Sequence, residues 1–590
     1  MTTTAPPRGP RTSTRRPGGR PPARPTPAPL RLGNPRRRAG FLLIGALVVL
    51  GLFTLRLLEI QAFRGDALAA AAVDQRTTTV AVLADRGNIL DSHGVPLATT
   101  VEARNITTDQ TLVSDPRATA TAIASVIGGD VNDLTQKLTG DRRFAYVAKE
   151  VTPEDWRAID DLGLPGIFSE RTTKRVYPSG MVGANVIGFV GADGVGLGGI
   201  EYAHDDVLAG VDGWSTYERA AGGAAIPTAA MSHQDPVSGS SIQLTIDRDI
   251  QYVAQRALAN EVAASGAESG SIVVMDPRTG DILALVDVPT FDPNDPGVAN
   301  PADLGTRALS NAFEPGSTAK VMTMAAVLEE GGATPTTKFE IPGTLTRSGK
   351  EFHDASEHGT YNWDLTTILS QSSNIGTILA AETIDQGAYY DYLLKFGIGQ
   401  PTGLNFPGET AGNVPAPDQW SGTTFPTLAF GQGMSVNAVQ IADVFSTIAN
   451  DGVRMPARLV VDPSQPQSEG IRVVSEHTAR SLREMLEKVV MDGGTAPMAG
   501  IPGYRVGGKT GTAQVINPDC ACYDGSTIGS FVGMAPIEAP ELVIGVTIVK
   551  PQVEQLGGEL AGPVFREVMT YALQARRVAP VTPASSSPGR

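Results

Sequence analysis

Cysteine and histidine are scarce in this chain of 590 residues, which contains two cysteines and six histidines. Two cysteines cannot form a disulfide framework, so the fold must be held together by packed hydrophobic cores. The histidines are scattered. His353 and His358 flank a short polar stretch, but their spacing is not that of a typical metal site, and we expect no metal. The length and the 41% share of hydrophobic residues are sufficient for several domains.

Lysine and acidic side chains are missing from residues 1–38, which instead hold ten arginines and ten prolines. Such a segment cannot bury a core, so we predict a disordered cytoplasmic tail. We predict a second disordered tail at the Pro/Ser-rich residues 576–590. The whole chain has a net charge of −15, which makes the remainder strongly acidic. An acidic body argues against nucleic acid as a partner.

Residues 39–55 contain no charged side chain, and two leucines follow Arg56. This pattern predicts a single transmembrane anchor at residues 39–58, with the Arg56 side chain reaching towards the far interface. Three arginines directly precede the span, which predicts a cytoplasmic N-terminus and an extracytoplasmic body. The alternative is a signal peptide cleaved near residues 67–69, but several charged residues separate the apolar run from that position.

Ser317 and Lys320 lie at the start of an apolar run that ends at a pair of glycines. Pro315 and the glycine after it are typical of a helix start. On such a helix Lys320 would lie on the same face as Ser317 and could take its hydroxyl proton. The N-terminal end of the helix would favour a developing oxyanion. Taken alone, such a pair is more often a capping serine with a surface lysine.

Two later motifs favour the catalytic interpretation. Ser372-Ser373-Asn374 lies in a predicted helix, 365–381, and Lys509-Thr510-Gly511-Thr512 lies in a predicted strand, 504–516. The order S-x-x-K, S-x-N, K-T-G is typical of penicillin-binding proteins and class A β-lactamases.

The resemblance extends beyond these three motifs. Segments 311–320, 371–374, 430–434 and 508–513 resemble class B penicillin-binding proteins, most closely the septal cell-division transpeptidase. Further stretches around Arg86, Arg175 and Glu201 resemble the motifs of the non-catalytic module of that class, although Ser92 stands where the family usually has arginine.

Predicted strands on either side of a mainly helical middle indicate an α+β fold, with helices covering an antiparallel sheet. Together with the resemblance, this predicts an elongated, mixed α/β pedestal of the dimerisation type at residues 59–240. A penicillin-binding transpeptidase domain is predicted to follow at residues 241–575.

The resemblance implies a serine D,D-transpeptidase that crosslinks peptidoglycan stem peptides and is inhibited covalently by β-lactams. Ser317 would form the acyl-enzyme. Lys320 would be the base, kept neutral by burial and by the positive charge of Lys509. Ser372 would relay a proton, and Asn374 would hold the peptide backbone of the substrate.

The strand that carries the third motif would bind the substrate. The hydroxyls of Thr510 and Thr512 would bind a carboxylate, and the N–H of Thr512 would complete the oxyanion hole. Gly511 has no Cβ, so a substrate peptide could lie close to the strand edge. Family analogy adds a SEDS-family glycan polymerase and other division membrane proteins as partners. No metal or organic cofactor is expected.

Other functions remain open at this stage. An elongation-specific transpeptidase of the same class would share every motif, and the segments near residues 313–320 and 430–434 favour the septal enzyme. A membrane-bound β-lactam sensor or β-lactamase would not need so large a pedestal, and a non-enzymatic scaffold would not need the intact motifs. Cys520 and Cys522 could form a strained disulfide or remain two free thiols.

Overall fold

The computed structural model describes residues 34–218, 232–462, 469–517, 520, 522–553 and 556–580. Most of both predicted tails, residues 1–33 and 581–590, lies outside the described residues. The chain divides into two units. One comprises Met1–Thr79 and Thr216–Ser232, and the other comprises Val80–Ser215 and His233–Arg590.

The first unit contains the predicted anchor. Helix α1, Pro35–Leu58, is followed by a π-helical turn, Glu59–Phe63, and by α2, Gly65–Arg76. Within the described parts of the chain, the stretch Pro35–Phe63 is the one helix long and apolar enough to cross a membrane, and none of it is buried. The helix begins four residues before the anchor predicted at residues 39–58, because Pro35 is well suited to the first helical position and the arginines after it are good helix formers.

The chain from Thr77 to Leu244 is mixed α/β, as predicted. Its helices and strands are β1 Thr77–Val82, β2 Ile89–Leu90, β3 Pro96–Thr108, α3 Pro116–Ile127, α4 Val131–Leu138, β4 Ala145–Val151, α5 Pro153–Asp160, β5 Ile167–Val176, α6 Ala184–Ile187, α7 Gly199–Ala203, α8 Asp205–Leu208, β6 Gly213–Glu218, β7 Ser232–Gln234 and β8 Ile242–Leu244. Strands β1, β6 and β7 form one sheet in the order β1-β6-β7. The long strand β3 pairs antiparallel with both β4 and β5.

A buried ion-pair network lies at the centre of this region. Arg86 Nε donates to Glu201 Oε2 at 2.6 Å, and Arg175 Nε donates to Glu201 Oε1 at 2.7 Å. Glu201 is completely buried, and Arg86 also donates to Asp205 Oδ1 at 2.7 Å. The three sequence stretches that resemble family motifs therefore meet in one structural cluster, as expected for residues that fold the pedestal. Ser92 takes no part in it, and its backbone N–H donates to Ile246 O.

The remainder of the second unit contains the motifs. Its helices and strands are α9 Arg248–Ser265, β9 Ser269–Met275, β10 Ile282–Val288, α10 Arg307–Ser310, α11 Lys320–Glu329, β11 Lys338–Ile341, β12 Leu345–Arg347, β13 Lys350–Phe352, β14 Tyr361–Asp364, α12 Leu365–Ser370, α13 Asn374–Ala381, α14 Gln386–Lys395, α15 Thr424–Ala429, α16 Ala438–Ala449, β15 Val453–Arg454, β16 Val460–Val461, β17 Ile471–Arg472, α17 Glu476–Val490, β18 Gly507–Asn517, β19 Cys522–Ala535, β20 Leu542–Val549 and α18 Gly557–Ala575.

A five-stranded antiparallel sheet in the order β10-β9-β20-β19-β18 organises this part of the molecule. Alternate residues of β9 face opposite sides. Ile272 and Val274 join a core with α9 and α18, whereas Val273 and Met275 join a core with α16. Both faces are covered by helices, so the predicted α+β class is confirmed. Strand β18, which carries the third motif, lies at the sheet edge.

The sequence pattern predicts a strand over 527–535 and a helix over 563–575, and both predicted starts are wrong. Helix α18 begins at Gly557, and Pro563 lies inside it and not at its start. The fully buried Leu560 and Ala561 extend the packing of the helix before the proline, which offsets the missing hydrogen bond. Strand β19 begins at Cys522 and not at Thr527, because its pairing with β18 continues to the pair Asn517–Cys522.

Candidate active site

Ser317 lies in a single 3₁₀ turn, Gly316–Ala319, which leads directly into α11. The sequence predicted one continuous helix here. A turn of 3₁₀ helix is common at the N-terminus of an α-helix, and its first N–H groups have no acceptor within the helix. Ser317 is half-buried, whereas Lys320, the first residue of α11, is completely buried. The apolar residues of α11 pack in the core, and Lys320 is buried because it begins this helix.

Ser372 lies in a break between two helices. The sequence predicted one helix over 365–381, but α12 ends at Ser370 and α13 begins at Asn374. Ser372 has φ +61°, a left-handed conformation that is unfavourable for a residue with a side chain. The reason for the break is local capping, because Ser373 Oγ accepts from Gly376 N at 2.8 Å and so starts a new helix. The break turns Ser372 towards the lysines.

The hydroxyl of Ser372 joins the two lysines. Lys509 Nζ donates to Ser372 Oγ at 2.9 Å, and Lys320 Nζ lies 3.2 Å from the same oxygen. Lys320 also donates to Ser372 O at 2.5 Å and to Asn374 Oδ1 at 2.8 Å. The structure therefore brings together four predicted site residues that are up to 189 positions apart in the sequence. One hydroxyl between two amines is an arrangement that can pass a proton in either direction.

Burial makes this cluster electrostatically unusual. It lowers the pKa of Lys320 from 10.5 to about 7, while the carboxylate of Asp354 opposes that shift. Burial also lowers the pKa of Lys509 well below its ordinary value, and the charge of Lys320 lowers it further. The sequence interpretation named burial and the charge of Lys509 as the causes that keep Lys320 neutral. In the structure, burial is the main cause for both lysines.

Within the described residues, no hydrogen bond joins the hydroxyl of Ser317 to Lys320. The amine is engaged with Ser372 and Asn374 in the free protein. Catalytic hydrogen bonds are often long or misaligned without substrate and tighten when it binds. The role of Lys320 as base therefore stays a prediction, supported by its burial and by its lowered pKa.

Strand β18 packs directly against the turn that carries Ser317. A Cβ added at Gly511 would lie 2.4 Å from Ser530 Oγ, 3.0 Å from Thr318 Cγ2 and 3.3 Å from Pro315 O, so only glycine permits this approach. As an edge strand, β18 also presents unpaired backbone groups to an incoming peptide. The packing places Ser317 and Thr512 on adjoining segments, as a shared oxyanion hole requires.

The two threonines of this strand have different surroundings. Thr510 Oγ1 is buried between Lys509 Nζ at 3.2 Å and Thr495 Oγ1 at 3.1 Å. Thr512 is exposed, and its hydroxyl accepts from Gly557 N at 3.3 Å. Carboxylate binding by both hydroxyls stays a prediction.

Comparisons with known proteins agree with this geometry. The family of the penicillin binding protein transpeptidase domain matches residues 270–570, and the penicillin-binding protein dimerisation domain matches residues 81–244. The chain is 38% identical to penicillin-binding protein PbpB of Mycolicibacterium smegmatis, over 94% of this chain and 92% of that one. The chain is a class B penicillin-binding protein.

Two further relatives lie in the same family. The peptidoglycan D,D-transpeptidase FtsI of Escherichia coli is 33% identical over 85% of each chain. The crystal structure of penicillin binding protein 3 from Mycobacterium tuberculosis, complexed with aztreonam, has a TM-score of 0.68 and 35% identity. The match covers 85% of this chain and 98% of that one. The fold class inferred from the motifs is thus confirmed for the whole penicillin-binding protein body.

Sequence reasoning missed Glu314. This residue immediately precedes residues 315–320, the nucleophile segment of this penicillin-binding protein. Its buried carboxylate accepts from Gly433 N at 2.8 Å and from Tyr523 Oη at 3.1 Å. Burial and the charge of Glu314 raise the pKa of Tyr523 to about 12, so the phenol remains a donor. These contacts tie the β18–β19 hairpin to the nucleophile segment, beside a cavity of about 320 Å³ lined in part by Phe313, Met434 and Gln514. The only sequence signal was the position of Glu314 inside a quoted motif.

Cys520 and Cys522 form a disulfide in the same hairpin. The sequence left a disulfide and two free thiols open. No group of three or more potential metal ligands occurs in the described part of the chain, and the loop with His353 and His358 makes other contacts. That loop was the second feature that sequence reasoning missed: Asp354, within it, lies against the S-x-N motif.

Proposed function

We propose that this class B penicillin-binding protein is a serine D,D-transpeptidase that crosslinks peptidoglycan stem peptides at the division septum. The observation that carries the proposal is the cluster of Lys320, Ser372 and Lys509 beside Ser317. A hydroxyl shared by two buried amines of lowered pKa is suited to moving the protons of an acyl transfer.

The proposed reaction starts when neutral Lys320 takes the proton of Ser317. The serine oxygen attacks the carbonyl carbon of the D-Ala-D-Ala peptide bond, and the N–H groups of Ser317 and Thr512 stabilise the resulting oxyanion. Collapse breaks the C–N bond, and the leaving amine receives a proton through Ser372. An amine from a second stem peptide then attacks the ester, returns its proton by the same route and releases Ser317.

Asn374 and Lys509 complete the proposed site. One hydrogen of Asn374 Nδ2 is donated to His353 O, which leaves the second for a backbone carbonyl of the substrate. Lys509, with Thr510 and Thr512, would bind the terminal carboxylate of the donor peptide, which lies along the edge of β18 next to Gly511. The same contacts would hold a β-lactam.

Membrane orientation and partners belong to the same proposal. Helix α1 would anchor the protein in the plasma membrane, with residues 1–38 in the cytoplasm and the catalytic domain outside, because arginines precede the helix. The pedestal, predicted at 59–240, would contact a SEDS-family glycan polymerase and other division membrane proteins, and the transpeptidase domain is predicted at 241–575. The septal assignment draws on the likeness to PbpB and FtsI.

Covalent labelling tests the proposal. Full-length protein in detergent is incubated with a fluorescent penicillin, and we expect one adduct per chain in the wild type and none in Ser317→Ala. Ser310→Ala, at an exposed serine seven residues earlier, is the matched control and should label normally. Labelling of a folded Ser317→Ala protein would contradict the assignment of the nucleophile.

The lifetime of the adduct separates a transpeptidase from a β-lactamase. A hydrolase needs a second base that positions water on the ester, as a glutamate does in class A β-lactamases. We expect the penicilloyl-enzyme to persist for at least an hour after free drug is removed, as measured by intact mass. Disappearance within seconds would favour the β-lactamase instead.

A further inference from the structure

Asp354 lies against the S-x-N motif and has no role in the reaction proposed above. Its side chain is only 9% exposed. Oδ2 accepts from Ser373 Oγ at 2.7 Å, and Oδ1 accepts from Ile375 N at 2.9 Å. Ser373 Oγ in turn accepts from Gly376 N at 2.8 Å. The carboxylate therefore fixes the first turn of α13 through both of its oxygens.

This turn adjoins both catalytic side chains of the motif. Ser372, directly before it, is held in an unfavourable left-handed conformation and places its hydroxyl between the lysines. Asn374, the first residue of α13, accepts from Lys320 and donates to His353 O at 3.0 Å. A left-handed residue persists only where its surroundings hold it there. Asp354 and the carbonyl of His353 supply that support from the loop between β13 and β14.

His358 holds Asp354 from the other side. Its side chain is 6% exposed, with Nε2 3.1 Å from Asp354 Oδ2 and Nδ1 2.5 Å from Gly359 O. The ring stacks on Tyr361, with centroids 4.6 Å apart, and Tyr361 stacks on Trp363 at 4.2 Å. These contacts fix the plane of the imidazole beside the carboxylate.

We propose that His358 and Asp354 form a positioning pair for acylation, in which the buried imidazole orients the carboxylate and the carboxylate holds Ser372 and Asn374 in their catalytic placement. Neither residue touches substrate. The inference rests on the proposed acyl transfer at Ser317 and adds to it a charged support that the three motifs do not include.

The charges around Asp354 allow a specific test. Lys320 on α11 interacts with Asp354 electrostatically, and Lys509 on β18 lies beyond it across Ser372. On the outer side, Glu351 on β13 faces the exposed His353 at 3.9 Å, and Glu357 is exposed. Removing the charge of Asp354 takes away the interaction that raises the pKa of Lys320, so Lys320 loses its proton at lower pH.

The first experiment measures the acylation rate of full-length Asp354→Asn by a fluorescent penicillin between pH 5.5 and 8.5. We expect the maximal rate to fall roughly 10- to 100-fold, because catalytic groups displaced by about 1 Å lose that much. The midpoint of the pH profile should move down by about 1 unit. Glu357→Gln, which removes a charge from the same loop, is the matched control and should leave rate and midpoint unchanged.

The second experiment replaces the imidazole. His358→Gln keeps one donor for Asp354 but removes the ring that stacks on Tyr361 and the contact with Gly359 O, and should slow acylation about 3- to 10-fold. His477→Gln makes the same change on an exposed face of α17 and should have no effect. Circular dichroism confirms folding, and if Asp354→Asn does not fold, His358→Gln and Asp354→Glu provide the measurement.

Either of two results would overturn the proposal: a folded Asp354→Asn protein that acylates at the wild-type rate, or one whose rate falls with no change in midpoint, which is the behaviour of general structural damage. If only His358→Gln can be measured, a rate equal to that of His477→Gln overturns it. A wild-type protein that is not labelled on Ser317 would instead refute the proposed function, so the two failures are distinguishable.

Discussion

The molecule contains two clusters of buried cations that differ in what lies between the positive charges. In the pedestal, Arg86 and Arg175 share the carboxylate of Glu201. In the catalytic domain, Lys320 and Lys509 share the hydroxyl of Ser372. The first cluster is neutralised by an ion pair. In the second, burial lowers the pKa of both lysines, and the charge of Asp354 only partly opposes this shift at Lys320.

Arginine suits the structural cluster of the pedestal, and lysine suits the catalytic cluster. A guanidinium keeps its proton and forms directed bonds to a carboxylate, so it is a stable structural group. An ammonium group gives up its proton when it is buried, so it can become a base. The comparison teaches that burial of a cation does not by itself indicate function, and that the nature of the central partner decides between structure and chemistry.

The largest effect is expected when the catalytic cluster is broken. Lys320→Ala should lower the acylation rate by about 10² to 10⁴, the usual contribution of general-base assistance. Its thermal stability should fall little, because the substitution also removes the cost of burying an amine. Stopped-flow acylation and a thermal melt measure the two quantities. A Lys320→Ala protein that is strongly destabilised but acylates at the normal rate would show that the lysine cluster stabilises the fold and does not serve the reaction.

Breaking the pedestal cluster should lower the stability strongly and the acylation rate little. Glu201→Gln leaves buried Arg175 without its carboxylate and Arg86 with Asp205 alone, and should cost about 3–5 kcal/mol of unfolding free energy. The acylation rate per folded molecule should stay within about twofold of the wild type. Chemical denaturation gives the free energy, and active-site titration corrects the rate for unfolded protein. Glu218→Gln in β6 is a control for loss of one charge.

The pH dependence sharpens the comparison further. Since the pKa of Lys320 is about 7, acylation should rise with pH and reach half its maximum near pH 7. Between about pH 7 and 10.5 the unfolded chain binds more protons at this lysine than the folded chain does, so the lysine's contribution makes the protein more stable as pH rises through that window. A flat acylation profile in this range would exclude Lys320 as the base.

The smallest effect is expected at the disulfide, which belongs to neither cluster. Reduction of Cys520–Cys522 should change the acylation rate less than about twofold, since Tyr523 and Glu314 hold the hairpin by other contacts. Intact mass after alkylation, with and without reductant, confirms the state of the bond. Tyr523→Phe, which removes the bond to Glu314, should slow acylation more than reduction does.

The catalytic motifs could be found from sequence because each has a local pattern of fixed spacing. Lys320 follows Ser317 by one helical turn, and the K-T-G motif has glycine where a strand must lie close to another segment. The sheet and its helices were predictable from periodicity. The contact between Ser372 and both lysines followed only from resemblance, since no local pattern joins residues so far apart.

Other features could not be predicted for the same reason. The break at Ser372 is made by the cap of Ser373, and the hydroxyl of Ser373 is held by Asp354, which is 18 positions from Ser372 and carries no pattern of its own. The continuation of α18 through Pro563 depends on buried packing of the preceding residues. In both cases a tertiary contact overrides a local preference that was interpreted correctly.

Gly511 has a consequence for the evolution of drug resistance. A methyl group at this position would collide with Ser530 and Thr318 and push β18 away from the nucleophile segment. In the proposed site, inhibitor and natural peptide both lie along β18 and would lose this support together, so we expect no protection from enlarging this residue. Substitutions that discriminate between drug and peptide must therefore arise at positions the two ligands use differently.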